Sequence, residues 1–494
     1  MELRHWPRVG TLVGCLTWAL SACQPSESAP PNIIYMLADD LGYGELGSYG
    51  QTKIRTPHLD RLASQGMRFT QHYSGSPVCA PARGTLLTGL HTGHGQVRDN
   101  FELGGWIDEE ERGQMPLDSG TYTIGRMLQE AGYVTGAIGK WGLGGPGSVG
   151  EPNLHGFDYF FGYLDQKQAH NYYPTHLWRN GERVPLDNEY FSPHQRLEGD
   201  PGDPAAYEQY TGNDYSLDVM ADDALRFLES NADQPFFLYL PFAIPHLALQ
   251  VPDSSVAEYD GAFEEEPYLG DRSYLPHPRP FSAYAGMITR MDAHIGRILA
   301  KLDELGLAEN TLVMFTSDNG ATYTGGVDAE FFDSSGGLRG LKGSVYEGGI
   351  RVPLIARWPG RVEPGSSSDH ISAFWDMMPT FADVVGVASP SGLDGLSFMP
   401  ALLGEPDQAE HADLYWEYHG LWNGAQAVRS GRWKGVRLGG HDDAGAPVQL
   451  YDLDDDPAER TDVAEQHPEV VERVLAVMES RTESHVARWN FARR

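Results

Sequence analysis

Two short stretches set the terms on which this chain can fold. Asn32-Ile33-Ile34-Tyr35-Met36-Leu37-Ala38 is apolar at nearly every position and ends in Asp39-Asp40. Thr311-Leu312-Val313-Met314-Phe315-Thr316 repeats the pattern and ends in Ser317-Asp318-Asn319-Gly320. A strand-length run without polar alternation has no face to give to water, so it predicts a strand buried on both sides, as in a parallel sheet covered by helices. Open sheets of that kind bind ligands beyond the carboxyl ends of their strands. Acidic residues at two such ends predict a polar site there.

The rest of the chain supplies the covering helices. Thr56 to Gly66 has a cap residue, a proline in the first turn, helical apolar spacing and a terminal glycine, which together mark a short helix. Tyr122 to Ala131, Tyr215 to Ser230 and Phe281 to Leu305 carry the same spacing, and Tyr133 to Ile138, Pro235 to Phe242 and Val352 to Trp358 read as buried strands. Strand and helix in alternation predict an α/β fold with a large, mostly parallel sheet between helices. From about residue 405 the texture changes. Leu414 to Tyr418, Ala425 to Val428, Arg432 to Val436 and Gln449 to Leu453 are short strands between glycine-rich turns, followed by a helix from Pro468. A small antiparallel sheet with one helix is expected there, giving a main domain over 32–404 and a second over 405–494.

The first residues read as an export signal. Arg4 and Arg8 precede an apolar run from Val9 to Leu20 that is too short to span a bilayer. Leu20-Ser21-Ala22-Cys23 resembles a bacterial lipobox, in which Cys23 becomes the lipidated first residue after removal of 1–22; an ordinary signal cleavage with Cys23 incidental is the alternative. Gln24 at the next position favours an outer-membrane address over inner-membrane retention, and Pro/Ser-rich 23–31 reads as a tether. The expectation is an exported, periplasmic or outer-membrane lipoprotein of a Gram-negative bacterium, touching membrane only through its lipid. Loss of Cys15 with the signal and lipidation of Cys23 leave Cys79 alone, so no internal disulfide can form. A formal net charge of −33 argues against nucleic acid as a partner. An anionic substrate would need a locally basic pocket.

Cys79-Ala80-Pro81-Ala82-Arg83 opens a small-residue, helix-like segment. A thiol at a helix N-terminus with an arginine one turn on is expected to favour its anionic form, although a buried structural cysteine beside a surface arginine has the same pattern. The carboxylates and amide of Asp39, Asp40, Asp318 and Asn319 suit a hard divalent cation. The Cys79–Arg83 segment resembles the signature of the sulfatases. Gly139-Lys140-Trp141 resembles that family's second signature, Pro245-His246 its histidine turn, and Leu341-Lys342-Gly343, running on to Pro353, its lysine-bearing loop. The matches fall in order across most of 32–360.

The resemblance implies an alkaline-phosphatase-like fold and hydrolysis of sulfate monoesters. It implies that a maturation enzyme oxidises Cys79 to formylglycine, and that calcium is held by Asp39, Asp40, Asp318, Asn319 and the modified Cys79. Arg83, Lys140 and Lys342 would stabilise charge on the sulfuryl oxygens, and His246 with Lys342 would serve the leaving oxygen. One position departs from the family: the histidine usual two residues after the lysine is here Gly142. His91, His94 and His170 are candidates to replace it. The polar-aromatic loops around Arg98-Asp99-Asn100 and His170-Asn171 are expected to rim the pocket and meet a sulfated sugar, and resemblance to bacterial sulfatases with similar loops points to a galactose or N-acetylgalactosamine sulfate. A phosphoesterase of the same superfamily and a non-catalytic protein that binds sulfated glycans are the alternatives.

Overall fold

A computed structural model describes residues 1–3, 5, 29–104 and 110–492. The signal and lipidation expectations, with Cys15 and Cys23, lie outside the described residues. Among these, no helix is long and apolar enough to cross a membrane.

An eleven-stranded sheet forms the frame. Its strands are β1 (Asn32–Ala38), β2 (Met67–Tyr73), β3 (Val134–Lys140), β4 (Tyr159–Tyr163), β5 (His176–Arg179), β6 (Glu182–Pro185), β7 (Phe236–Pro241), β8 (Thr311–Ser317), β9 (Arg351–Arg357), β10 (Ser366–Ser368) and β11 (Ser372–Ala373). They run in the order β10-β2-β9-β8-β1-β7-β3-β4-β5-β6, with β11 beside β2. The centre, β8-β1-β7-β3-β4, is parallel throughout. The expected mostly parallel sheet is present, with two antiparallel features that the apolar runs did not show: β9 runs against both β2 and β8, and β5 and β6 form an antiparallel edge. Burial on both faces makes a run apolar but carries no direction.

β1 shows why its sequence has no polar alternation. Ile34, Met36 and Ala38 enter one core while Ile33, Tyr35 and Leu37 enter another on the opposite face. The first core is closed by α1 (Pro57–Ser64) and by the long helix Pro280–Glu304, which contributes Ile288, Met291, Ile295 and Ile298. The second is closed by α2 (Cys79–Thr88), through Leu86 and Leu87, and by α3 (Ile124–Glu130), through Ile124, Met127 and Leu128. Truncating any of these fully buried aliphatics to alanine would cost about 2–5 kcal/mol.

A separate four-stranded antiparallel sheet contains β12 (Leu414–Tyr418), β13 (Ala425–Ser430), β14 (Trp433–Leu438) and β15 (Val448–Asp452). The helix Pro468–Glu479 covers one side with Val470, Val474 and Met478. On the other side Leu414, Trp416 and Tyr418 share a core with Tyr73, Val78, Tyr346 and Trp375 of the main body.

Candidate active site

Parallel register brings the acidic strand ends together. Ala38 of β1 pairs with Ser317 of β8, so Asp39 and Asp318 leave the sheet side by side, and the Asp318 amide donates to the Ala38 carbonyl at 3.0 Å. Asp40 sits in the left-handed region at φ 65°, a conformation costly for a non-glycine residue. Its amide donates to Asp318 Oδ1 at 3.1 Å, which holds it there. β3 ends in Lys140, and the chain leaving β7 reaches His246 after the Phe242 amide donates to the Leu37 carbonyl at 2.8 Å. The residues that the sequence placed at strand ends therefore converge at one edge of the sheet, as open α/β sheets require.

Cys79 is the first residue of α2 and is buried. Its thiol donates to Asp39 Oδ1 at 3.3 Å and lies 3.8 Å from Asp40 Oδ1. Asp39, Asp40, Asp318 and Asn319 are all inaccessible to solvent. Lys140 Nζ lies 2.5 Å from Asp39 Oδ2, and Lys342 Nζ 2.8 Å from Asp40 Oδ2. Burial raises the Asp318 carboxyl to about 6, helped by the Asp39 charge. Asp39 goes the other way: burial opposes its ionisation, but Lys140 and Arg83 hold it below the ordinary carboxylate range.

One expectation is corrected by these contacts. Burial, followed by the Asp318 and Asp39 charges, pushes the Cys79 thiol up, so plain cysteine here is not a favoured thiolate. Arg83 does not offset this because its guanidinium is engaged elsewhere. Its Nη2 donates to Asp318 Oδ2 at 2.7 Å and lies 3.2 Å from Asp39, and its Nη1 donates to the Lys140 carbonyl. Arg83 ties helix, strand end and carboxylates together from a fully buried position.

His246 lies between Lys342 and a second imidazole. Its Nδ1 donates to the Leu247 carbonyl at 2.7 Å, which fixes the proton on that nitrogen and leaves Nε2 facing Asp40 Oδ2 at 3.7 Å. His170 stacks on its ring with centroids 4.8 Å apart and is hydrogen-bonded through Nδ1 to His194 Nε2 at 3.0 Å. His91 and His94 are at the other end of α2, about 15 Å of helix away, where both pair with Asp394. They are not placed to replace the histidine missing at Gly142.

The rim expectations divide. Arg98 is buried and engaged by Glu417 at 2.7 Å, with further bonds to the carbonyls of Gly95 and Thr482. Asn171 is buried too, its Oδ1 accepting from the Tyr173 amide at 2.9 Å and its Nδ2 donating to the Phe191 carbonyl. Neither side chain is presented to a substrate. Asn100 Oδ1 accepts from the Ala80 amide at 2.9 Å and so caps the first turn of the Cys79 helix. Sequence reading missed Ser74, whose hydroxyl donates to the Asp318 carbonyl, and Ser317, whose Oγ accepts from the Leu41 amide at 2.9 Å. A serine at or just past a strand end carries no signal that would single it out.

The donor set fits a metal ion. Ligand atoms from Asp39, Asp40, Cys79 and His246 lie within 4.8 Å of one another. Asn319 Nδ2 donates to Asp40 Oδ1 at 2.8 Å, but its Oδ1 is buried without a partner among the described residues. A buried acceptor left unpaired is costly, and an oxygen-rich set of this kind is what a hard cation such as calcium takes.

The sulfatase family model matches residues 31–387, and a model described as N-sulphoglucosamine sulphohydrolase, C-terminal, matches 341–486. Arylsulfatase A of Bos taurus is 33% identical, covering 93% of this chain and 88% of that protein. N-acetylgalactosamine-6-O-sulfatase of Bacteroides thetaiotaomicron is 30% identical over 96% of this chain and 97% of its own length. The crystal structure of Ps i-CgsB superposes with a TM-score of 0.73 at 28% identity, covering 91% of this chain and 92% of the other. With the carboxylate-lined cysteine, both lysines and the histidine assembled at one sheet edge, the chain belongs to the sulfatase family and is a sulfuric ester hydrolase.

Proposed function

We propose that this enzyme removes sulfate from a galactose or N-acetylgalactosamine unit of a sulfated saccharide, using a formylglycine made from Cys79 and a calcium ion. The observation that carries the reading is the buried Cys79 thiol held against Asp39 and Asp40, with the Asn319 oxygen left without a partner among the described residues. The sugar assignment leans on the N-acetylgalactosamine-6-O-sulfatase relative and on the complex of Ps i-CgsB with k-i-k-neocarrahexaose, which is 27% identical with a TM-score of 0.73.

Asp39, Asp40, Asp318, Asn319 and the modified Cys79 would hold the calcium, which would supply positive charge for the sulfuryl oxygens and for the nucleophile. The formylglycine hydrate would supply that nucleophile as a hydroxyl that a plain thiol cannot replace.

The remaining chemistry belongs to the chain's own side chains. Lys140 helps to keep Asp39 ionised, Lys342 pairs with Asp40, and both present ammonium donors to the anionic ester. Arg83 acts as a positioning group, because its fork is engaged by Asp318 and Asp39. His246 carries its proton on Nδ1, so its Nε2 accepts a hydrogen bond unless the ring is doubly protonated. Lys342 is then the group that delivers a proton to the leaving alcohol oxygen, with His246 orienting that alcohol.

The remaining proposals concern address and organisation: export as a lipoprotein through Cys23, and a catalytic domain over 32–404 followed by a smaller domain over 405–494. The test is sulfate and phosphate release from sulfated mono- and oligosaccharides, aryl sulfate and aryl phosphate. Protein would be made with and without a maturation enzyme, and the mass of the Cys79 peptide and the calcium content measured alongside. Sulfate release from galactosyl or N-acetylgalactosaminyl sulfates, dependent on the aldehyde, is the expected result. Full turnover by unmodified, calcium-free protein, or release from neither sugar, would overturn it.

A further inference from the structure

Gly142, two residues beyond Lys140, has φ +75° and no side chain, and the space a side chain would enter is already filled. A Cβ built on Gly142 would lie 2.8 Å from Cγ, 3.0 Å from Cδ and 3.1 Å from Nε2 of Gln166. The Gln166 amide therefore stands where a residue at 142 would project, against the strand end that carries Lys140. Gln166 is 3% exposed, and its Nε2 is buried without a hydrogen-bond partner among the described residues.

The turn that carries Gln166 runs from the strand end that carries Lys140 to the imidazole that stacks on His246. At one end the Gly142 amide donates to the Leu164 carbonyl at 3.2 Å and the Trp141 amide to the Tyr163 carbonyl at 2.8 Å. At the other end His170 stacks on His246. The backbone of the turn is held independently of the Gln166 side chain: its amide donates to Gln114 Oε1 at 2.9 Å, and the Asp165 carboxylate accepts from the Gly113 and Lys167 amides at 3.0 and 2.7 Å. A buried amide donor without an acceptor among the described residues is costly, and in a turn so well fixed it is available to a ligand oxygen.

On the sulfate-ester reading above, we propose that Gln166 is a positioning residue that donates a hydrogen bond from Nε2 to an oxygen of the bound sulfate group. Gly142 is required so that this amide can reach the site. A bulkier residue at 142 and Gln166 exclude one another, both by space and by the positive φ.

Three variants separate the hydrogen bond from packing. Gln166→Met keeps the volume and removes the donor. Gln166→Glu keeps the shape and puts an acceptor where the donor was. Gln166→Ala removes both. The expected result is a ten- to hundredfold loss in kcat/KM on an aryl sulfate for Met and Ala, the range for one hydrogen bond to a charged group, with a larger loss for Glu and unchanged melting temperature for Met and Glu. An aryl sulfate has no sugar hydroxyls, so this loss reports on the sulfate end of the substrate. Calorimetric binding of inorganic sulfate, which needs no turnover, is expected to weaken at least tenfold in Gln166→Met. Wild-type kcat/KM and sulfate affinity in Gln166→Met would overturn the assignment, as would a loss confined to sugar substrates. Failure of the wild type to release sulfate from any ester would defeat the functional reading instead, and the sulfate-binding comparison would still decide the role of Gln166.

Discussion

Two buried acidic centres in this enzyme are wired differently. Glu417, in β12, has both oxygens filled: Arg98 Nη1 at 2.7 Å, Arg481 Nη2 at 3.1 Å and His419 Nε2 at 3.0 Å on one, Tyr415 OH at 2.7 Å and Arg481 Nε on the other. The strand-end centre has three carboxylates, three cations and a thiol, yet it leaves the Asn319 oxygen with no partner among the described residues. A charge whose every lone pair is met contributes to stability and offers nothing to a ligand. A buried polar atom without a partner is costly, and at a carboxylate-lined site an arriving cation would relieve that cost. Burial and charge alone do not distinguish these two centres; the completeness of their pairing does.

The comparison can be broken at several points. The largest effect is expected at Cys79: Cys79→Ser should leave a folded protein with sulfate release lost to background, and wild-type-like rates would refute the scheme. Next is metal removal. Chelation should abolish turnover, and added calcium should restore it, which a rate assay during back-titration would show. Full activity in protein shown by elemental analysis to be metal-free would remove the strand-end centre from the reactive class.

Glu417→Ala should act on stability instead. Breaking a buried ion pair leaves Arg98 and Arg481 uncompensated, at a cost of about 3–5 kcal/mol. Denaturant midpoints should fall while kcat of the folded fraction changes less than about threefold. An inactive but equally stable variant would invert the two assignments.

The same residue predicts a pH signature. Burial opposes ionisation of Glu417, but its His419, Arg481 and Arg98 partners bring it down to about 2. The folded state therefore binds this proton less readily than the unfolded state. The stabilisation is complete above the ordinary value of 4.5 and drains away as pH falls toward 2, on the order of 3 kcal/mol in all. Urea midpoints at pH 5, 4 and 3 should decline in the wild type and less steeply in Glu417→Gln. The smallest effect belongs to His91→Ala and His94→Ala, which should change kcat less than about twofold because α2 separates them from Cys79. A trapped sulfated enzyme in either variant would show that they reach the site after all.

Much of this was legible in the residues. Runs apolar at every position, such as Asn32 to Ala38, imply burial on two faces, because a strand with one wet face must alternate. That argument located the central strands, and the residues at their ends located Asp39, Asp40, Asp318 and Asn319. Helical spacing placed Ser216–Ser230 and Pro280–Glu304 to within a residue of their observed bounds. The strand Met67–Tyr73 was missed because MRFTQHY mixes polar and apolar residues, and its burial between β9 and the short strands β10 and β11 is partial.

What the sequence could not supply was the pairing of its polar side chains. Arg83 and Arg98 both read as cations for an anionic substrate, yet one ties the strand-end carboxylates together and the other answers Glu417, more than three hundred residues away. Nothing in the order of residues singles out Gln166, and only its approach to the bare Cα of Gly142 draws attention to it. Periodicity is a local property, and the chain carries it in its order of residues. Hydrogen-bond satisfaction depends on which distant groups the fold brings within about 3 Å, and tertiary structure alone decides that.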